Sequence, residues 1–394
     1  MRREKTQVGI IGAGPAGLML SHLLARAGIE SVVVERRSRE YIEKRVRAGV
    51  LEQGTVNLMR ETGLGARLDR EGLVHRGISL RFEGTDHRIA FDELTGGSTI
   101  TVYGQQEVVK DLIAARIAAG ARLHFEVEDA SVHEIDSSTP RLRYTVGDEE
   151  IELECDFIAG CDGFHGVSRD AIPVDRLARY EREYPFGWVG ILASVAPSSE
   201  ELIYSSHERG FALLSMRSPV LTRLYVQCDR SDTIEDWPDE RIWEELHLRL
   251  ETDDGFALTE GPVVEKTIAW MHSVVTEPMQ YSRLFLAGDA AHIVPATGAK
   301  GLNLAVADVR VLSSALDAWY RTGSTAALAS YSATCLRRVW RAQHFSYWMT
   351  TMLHRFPGDD AFQRKLQLAQ LRWVASSRDA AASLAENYVG MVRV

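Results

Sequence analysis

The sequence predicts an α/β fold: a Rossmann-like dinucleotide-binding unit, an inserted and mostly antiparallel β domain, and a helical C-terminal region. Three observations carry that reading. A glycine-spaced turn, VGIIGAGPAGLML, sits between a strand pattern and a helix pattern near the N-terminus. Short β-rich runs (GWVGILASVA, ELIYSS, GFALLSM, TRLYVQC), separated by Pro, Gly, Ser and charged residues, fill 185–228. From about 303 to 354, and through much of 359–385, apolar residues return at helical spacing.

Taken in order, Val8–Ile11 reads as a buried strand, Ala16–Ala27 as a helix stopped by Gly28, and Ser31–Glu35 as a second strand. This βαβ unit implies a parallel sheet. Helical spacing at Glu107–Ala119 precedes short strands between about 121 and 160. The β-rich segment interrupts the α/β unit, so the expected division is 1–175 for the first part of the nucleotide domain and 176–275 for an inserted substrate-binding sheet. Residues 276–394 return to the nucleotide domain and add the C-terminal helices.

Bulk properties exclude several functions. The 394 residues carry a net charge of −10, which removes the electrostatic case for nucleic acid or an anionic membrane. Cys155, Cys161, Cys228 and Cys335 have no CxxC spacing, against structural zinc and against a disulfide framework, so no metal is expected. No run of 18 apolar residues occurs, and the basic N-terminus lacks a cleavage pattern. A cytoplasmic protein with free thiols is expected.

Gly12, Gly14 and Gly17 stand in GxGxxG spacing between strand and helix. The first allows a tight turn, the second lets a pyrophosphate approach the backbone, and the third packs helix on strand. The helix N-terminus then offers amides and partial positive charge to phosphates. Glu35 ends the second strand 18 residues after Gly17, where a carboxylate can accept ribose hydroxyls. Two more fragments follow apolar runs: CDGFHGVSR, with Asp162, and LFLAGDAAHIVPATGAKGLNLA, with Asp289 ahead of a loop almost without bulk. A bare loop lets backbone amides approach something flat and large.

The trio GAGPAG, CDGFHGVSR and LFLAGDAAH resembles the group A flavoprotein aromatic hydroxylases. The resemblance implies FAD, with Asp289 on the ribityl chain and the following helix aimed at the N1–C2 edge of the ring. Further stretches, among them RVRAGVLEQG, TVYGQ, YPFGW, HIVP, TGAKGLNLA, CLRR, LHRFP and AENYVG, resemble the branch of that family that hydroxylates 4-hydroxybenzoate at position 3. It implies cofactor contacts at Arg47, Gln105, Lys300, Gly301, Leu302, Asn303 and Arg223 as well, Lys300 contributing to a positive field.

Ser215 and Arg217 are two apart on a predicted strand, as are Arg223 and Tyr225, so each pair shares a face. By resemblance, Arg217 holds the benzoate carboxylate with Ser215 and Tyr225, since a buried guanidinium needs a planar bidentate partner. Tyr204 and Tyr388 match the family's paired tyrosines at the phenol end, and His75 its histidine that passes the proton to solvent. Read without the resemblance, these would be two half-buried aromatics and a surface histidine. A free phenol ionises near roughly pH 10, so the site must stabilise the anion that a flavin C4a-hydroperoxide attacks, giving 3,4-dihydroxybenzoate.

Two positions depart from the family. Ala296 stands in PATG where a second proline is usual; its carbonyl still reaches the substrate hydroxyl, but the fixed φ is lost. His272 stands where the resemblance implies arginine. The electron donor is expected to be NADPH, or NADH, bound transiently at Arg36, Arg45, His165 and Arg169, within and beyond the basic run ERRSREYIEKRVR. An NAD-dependent dehydrogenase, a flavin halogenase and a non-catalytic flavin-binding protein are the competing readings. The partners expected are an aromatic acid, O2 and a second copy of the chain, the aromatic segment from Val339 being core or homodimer contact.

Overall fold

The computed structural model describes residues 1–47 and 49–390. Its first sheet runs Gln280–Tyr281, Leu284–Leu286, Glu149–Gly160, Arg2–Ile11, Ser31–Val34, Arg122–His124. Arg2–Ile11 pairs in parallel on both sides, Val8 facing Phe157 in one neighbour and Ser31 in the other. Helix Pro15–Arg26 is the crossover of the expected βαβ unit and buries Leu18, Met19, Leu20 and Leu24. Strands flanked by helices are apolar on both faces, which is why SVVV at 31–34 is buried throughout.

The second sheet runs His292–Ile293, Val263–Glu277, Ala178–Ala193, Leu221–Asp229, Gly210–Ser218, Leu202–His207, Gly77–Phe82, Thr85–Ala90. It is larger than the segment 176–275. The hairpin 77–90, from the N-terminal part, adds to its edge, with Tyr204 paired to Leu80. That pairing joins residues more than a hundred apart in parallel, and no local pattern announces it.

Two hydrophobic cores follow the two sheets. The first takes in the glycine-turn unit and helix Gly301–Thr322; the second takes in the large sheet and the helices Ala361–Ser376 and Arg378–Val389. The long helix Ala326–Leu353 serves both, with Val339 in one and Phe345 and Met349 in the other. The predicted helical stretch 303–354 is thus two helices, broken at Gly323 in the left-handed conformation. Among the described residues, no helix is long and apolar enough to cross a membrane.

Candidate active site

A trough of ≈ 520 Å³ opens at the carboxyl ends of the parallel strands. Gly12 has φ +102, and a Cβ there would lie 2.3 Å from the Cys161 carbonyl oxygen. A Cβ at Gly17 would lie 1.9 Å from the Gly12 carbonyl oxygen. At Gly14, the N-cap of the first helix, a Cβ meets nothing within 4 Å, so that face opens into the trough. One oxygen of Glu35 accepts from Ala13 N and the other from Arg37 N, both at 2.8 Å. The acid therefore fixes the glycine turn and keeps further lone pairs for a ribose.

The trough is also lined by Arg47, Gln105 and the exposed Asp289, together with Gly301 and Leu302 at the start of helix Gly301–Thr322. Two helix N-termini thus face one trough. Asp162 lies in the wall as well: its Oδ2 accepts from Ser168 N and Oγ, while Oδ1 is buried without a partner. Burial holds that carboxyl above its ordinary range. An orphaned acceptor, free amides and a glycine cradle fit a dinucleotide that donates from its hydroxyls and presents phosphates. In the sequence Asp162 marks the CDGFHGVSR motif without being assigned a cofactor contact; its place in this wall supplies one.

Three expected cofactor contacts lie elsewhere. Lys300 is buried and donates to Glu52 Oε1 at 2.7 Å and to the Tyr388 carbonyl at 2.9 Å, so its ammonium faces an acid rather than the trough. Burial lowers its pKa despite the pull of Glu52. The Asn303 amide is saturated: it accepts from Glu52 N and Thr55 Oγ1 and donates to the Val50 and Ala299 carbonyls. Arg223 donates to Glu265 at 2.8 Å and to Thr267 Oγ1 at 3.1 Å, within the second sheet. In each case the side chain has found a partner inside the fold that motif matching could not see. Beneath the GD turn, Asp308 Oδ2 takes Gly288 N at 3.0 Å and His292 Nε2 at 2.6 Å. Burial would lower the His292 pKa, and the pairing with Asp308 raises it overall. This buried pair had no local signal.

Around the trough mouth, Arg36, Arg45, His165 and His272 line the wall. Arg39 and Lys44 are paired with Glu43 and Glu40 along their short helix, which leaves Arg36, Arg37 and Arg45 of that run facing the trough. Tyr41 lies under both Arg37 and Arg45, at 5.1 and 5.9 Å. Arg169 turns inward, donating to the Phe164 and Ala290 carbonyls, and braces the loop instead of lining the trough.

On the second sheet, Tyr204, Leu213 and Tyr225 stand directly opposite one another across three strands, and Ser215 opposite Arg223 forms the next row on that face. Arg217 lies four residues beyond Leu213, roughly 13 Å along an extended strand. Its Nη1 donates to Ser215 Oγ at 2.8 Å and to the Met216 carbonyl at 2.9 Å, and Nη2 approaches Tyr225 OH at 3.5 Å. Nε is buried without a partner, and no carboxylate pairs with this guanidinium among the described residues. Burial lowers its pKa. A half-buried cation served only by neutral oxygens is costly unless an anion completes it.

At the other end of the face, Tyr204 OH shares a short hydrogen bond with Tyr388 OH, and both rings are buried. Burial raises both phenol pKa values, so both are neutral. Tyr388 stacks on Phe91 at 5.0 Å. Ala296, in the turn Ala296–Gly298, is exposed, and its carbonyl accepts from Ala299 N at 3.0 Å, leaving one lone pair.

His75 is 1 % exposed, not on the surface, and neither ring nitrogen has a partner. Burial pushes its pKa down to about 4 against a pull from Glu201. His354 behaves alike: Trp188 Nε1 donates to its Nε2 at 2.7 Å, its Nδ1 donates to the Thr350 carbonyl, and burial lowers its pKa to about 3. Both are neutral when folded, whereas in the unfolded chain they take up protons below about pH 6.5. Stability is therefore full above that pH and falls as pH drops toward 4 and 3, by a few kcal/mol per histidine. Melting temperature measured from pH 7 to 4 should decline, and His354→Asn should flatten part of that decline.

Comparison with known proteins agrees with this arrangement. A family profile described as "FAD binding domain" matches residues 5–346. The chain is 49% identical over 391 residues to p-hydroxybenzoate hydroxylase of Acinetobacter baylyi, covering 99% of this chain and 96% of that one. It is 28% identical to kynurenine 3-monooxygenase of Salinispora tropica, covering 84% and 77%. The crystal structure of p-nitrophenol 4-monooxygenase from Pseudomonas putida shares the fold with a TM-score of 0.82, covering 100% of both chains at 19% identity.

Proposed function

We infer the function from one premise: the chain belongs to the FAD-binding family of flavin monooxygenases, which includes p-hydroxybenzoate hydroxylase. It is an FAD-dependent aromatic hydroxylase that converts 4-hydroxybenzoate to 3,4-dihydroxybenzoate, consuming O2 and NAD(P)H and releasing water. The observation that carries the choice of substrate is the half-buried Arg217 guanidinium, its Nε buried and with no acid partner among the described residues, facing along one sheet surface toward a pair of buried tyrosines.

Bound FAD, held by the glycine turn, Glu35, Asp162, Asp289 and the two helix N-termini, supplies reduction of O2 and the electrophilic oxygen. The chain's own residues do the rest. Arg217, with Ser215 and Tyr225, takes the carboxylate and fixes the ring's long axis. Tyr204 meets the phenol oxygen and, through Tyr388, draws its proton away, so that the ring becomes phenolate and its ortho carbon nucleophilic. His75, neutral at working pH, is able to receive that proton and pass it on. The Ala296 carbonyl accepts from the phenol until it ionises. Incubating the holoenzyme with NADPH and 4-hydroxybenzoate, then identifying the product by chromatography, tests this. The 3,4-dihydroxy acid is expected, and hydroxylation at another ring position would refute the orientation.

NADPH is the proposed donor because Arg36 and Arg45 edge the trough with no acid paired to either among the described residues, which suits a 2′-phosphate. The ratio of kcat/KM for NADPH over NADH should exceed one and fall by about tenfold in the double variant Arg36→Gln, Arg45→Gln, equal to about 1.4 kcal/mol of lost attraction. A preference for NADH in the unsubstituted enzyme would end this reading.

A homodimer is proposed on the helix Ala361–Ser376. Phe362, Leu366 and Trp373, at i, i+4 and i+11, are 68%, 52% and 57% exposed and make one apolar stripe. The aromatic segment from Val339 is mostly interior, with Trp340 and Tyr347 its large exposed residues. Leu366→Glu with Trp373→Glu should shift gel-filtration elution from dimer to monomer. An unchanged dimer would move the contact elsewhere.

A further inference from the structure

We propose that Thr350 and Ser346, one turn apart on helix Ala326–Leu353, form a seat that positions the turn Ala296–Gly298 against the phenol end of the substrate. The proposal rests on the hydroxybenzoate reading above, in which the Ala296 carbonyl meets the phenol. It makes Thr350 a positioning residue that touches neither substrate nor cofactor.

The turn carries little restraint of its own. Ala296 has no ring to fix φ, and Ala299 closes the turn from a left-handed conformation at φ +53. Restraint comes from the helix. Thr297, Ser346 and Thr350 are each 0% exposed. Thr350 Oγ1 lies 2.7 Å from the Ser346 carbonyl and 2.9 Å from Thr297 Oγ1. A hydroxyl has one proton. Thr350 is the donor in both contacts, so its proton is shared between the Ser346 carbonyl and Thr297 Oγ1. One helix hydroxyl therefore ties the turn to the helix backbone.

Gly298 completes the seat. A Cβ there would stand 2.4 Å from Ser346 Oγ, so the turn's backbone rests directly on the helix. That Ser346 hydroxyl has no partner although it is fully buried, consistent with a contact set by shape. One helical turn further, His354 anchors the same helix face to Trp188, which packs on Tyr225 at 5.0 Å. A single stripe of side chains (Ser346, Thr350, His354) thus references the phenol-side turn to the sheet that carries the substrate's contacts.

The backbone also defines a rescue. Pro295 has φ −55 and ψ 139, the extended conformation that a following proline requires. Position 296 opens a short helical turn, where a missing N–H costs little. A proline at 296 would supply locally the restraint that Thr350 supplies from the helix.

The test uses FAD-loaded enzyme and measures 4-hydroxybenzoate Kd by flavin absorbance titration, together with the fraction of NADPH that yields dihydroxy product. Thr350→Val is isosteric and removes the hydroxyl; Thr350→Ser keeps it. The valine variant should bind about fivefold more weakly, the value of one neutral hydrogen bond, and lose coupling, while its FAD affinity stays at the unsubstituted value. The serine variant should match the unsubstituted enzyme, and Ala296→Pro added to Thr350→Val should recover binding and coupling. Unsubstituted Kd and coupling in Thr350→Val would overturn the seat, as would a loss that the serine variant shares or that proline fails to recover. Arg217→Met, measured in parallel, separates the two layers. If it too binds normally, the substrate reading fails; if it alone fails to bind, only the seat does.

Discussion

Arg217→Met lowers kcat/KM for 4-hydroxybenzoate by about 10²–10³-fold, the loss expected when a buried charge-assisted pair is deleted, about 3–4 kcal/mol. The size follows from the setting. The guanidinium is held by Ser215 Oγ and the Met216 carbonyl, is ion-paired with no acid among the described residues, and has an unpartnered Nε. In the free enzyme that cation is under-solvated; a carboxylate arriving in the same plane satisfies both at once. Most of the loss should appear in KM and substrate Kd, since the carboxylate interaction is the same before and during oxygen transfer. Arg217→Lys should recover only a minor part, because an ammonium cannot offer two parallel donors. The variant should fold at least as well as the unsubstituted chain, for it removes a half-buried charge without an ion-pair partner among the described residues.

The second large effect is at Tyr204. Tyr204→Phe should leave carboxylate binding intact but removes the hydroxyl that is hydrogen-bonded to Tyr388 and is proposed to meet the phenol. Product formation should fall by about 10²-fold, within the range for lost acid–base assistance, while NADPH oxidation continues and peroxide accumulates. Raising the pH toward the phenol's own ionisation should restore part of the rate, since the substrate then loses its proton unaided. An unchanged rate with a normal pH profile would remove Tyr204 from the proton path. In the proposed path His75 would act later, as an imidazole that burial keeps neutral near neutral pH.

How much of this was legible in the sequence depends on how local the determinant is. The βαβ unit and its glycine turn were legible because each glycine answers a backbone demand within a few residues, as φ +102 at Gly12 and the contact at Gly17 bear out. The antiparallel character of 185–228 was legible from residue type and spacing. The hairpin 77–90 at the edge of that sheet was not, because its place is fixed by distant segments, among them the parallel pairing with Leu202–Ser206 and the Arg81 bond to the Leu250 carbonyl. Likewise Lys300 and Asn303 stand beside the glycine start of a helix that faces the trough, yet their side chains are consumed by Glu52, Val50 and Thr55 from a distant segment. His75 carried no sign of burial in its own neighbourhood. The Thr297–Thr350 contact spans 53 residues, and only the folded chain brings those hydroxyls together.

The central claim is that Arg217 exists in this fold to receive a carboxylate. Its most direct test is a binding cycle: Kd of the FAD-loaded enzyme for 4-hydroxybenzoate and for the neutral 4-hydroxybenzamide, in the unsubstituted chain and in Arg217→Met. The account requires the unsubstituted enzyme to prefer the acid by at least about 10²-fold and the variant to lose that preference. An undiminished preference for the acid in Arg217→Met would contradict it.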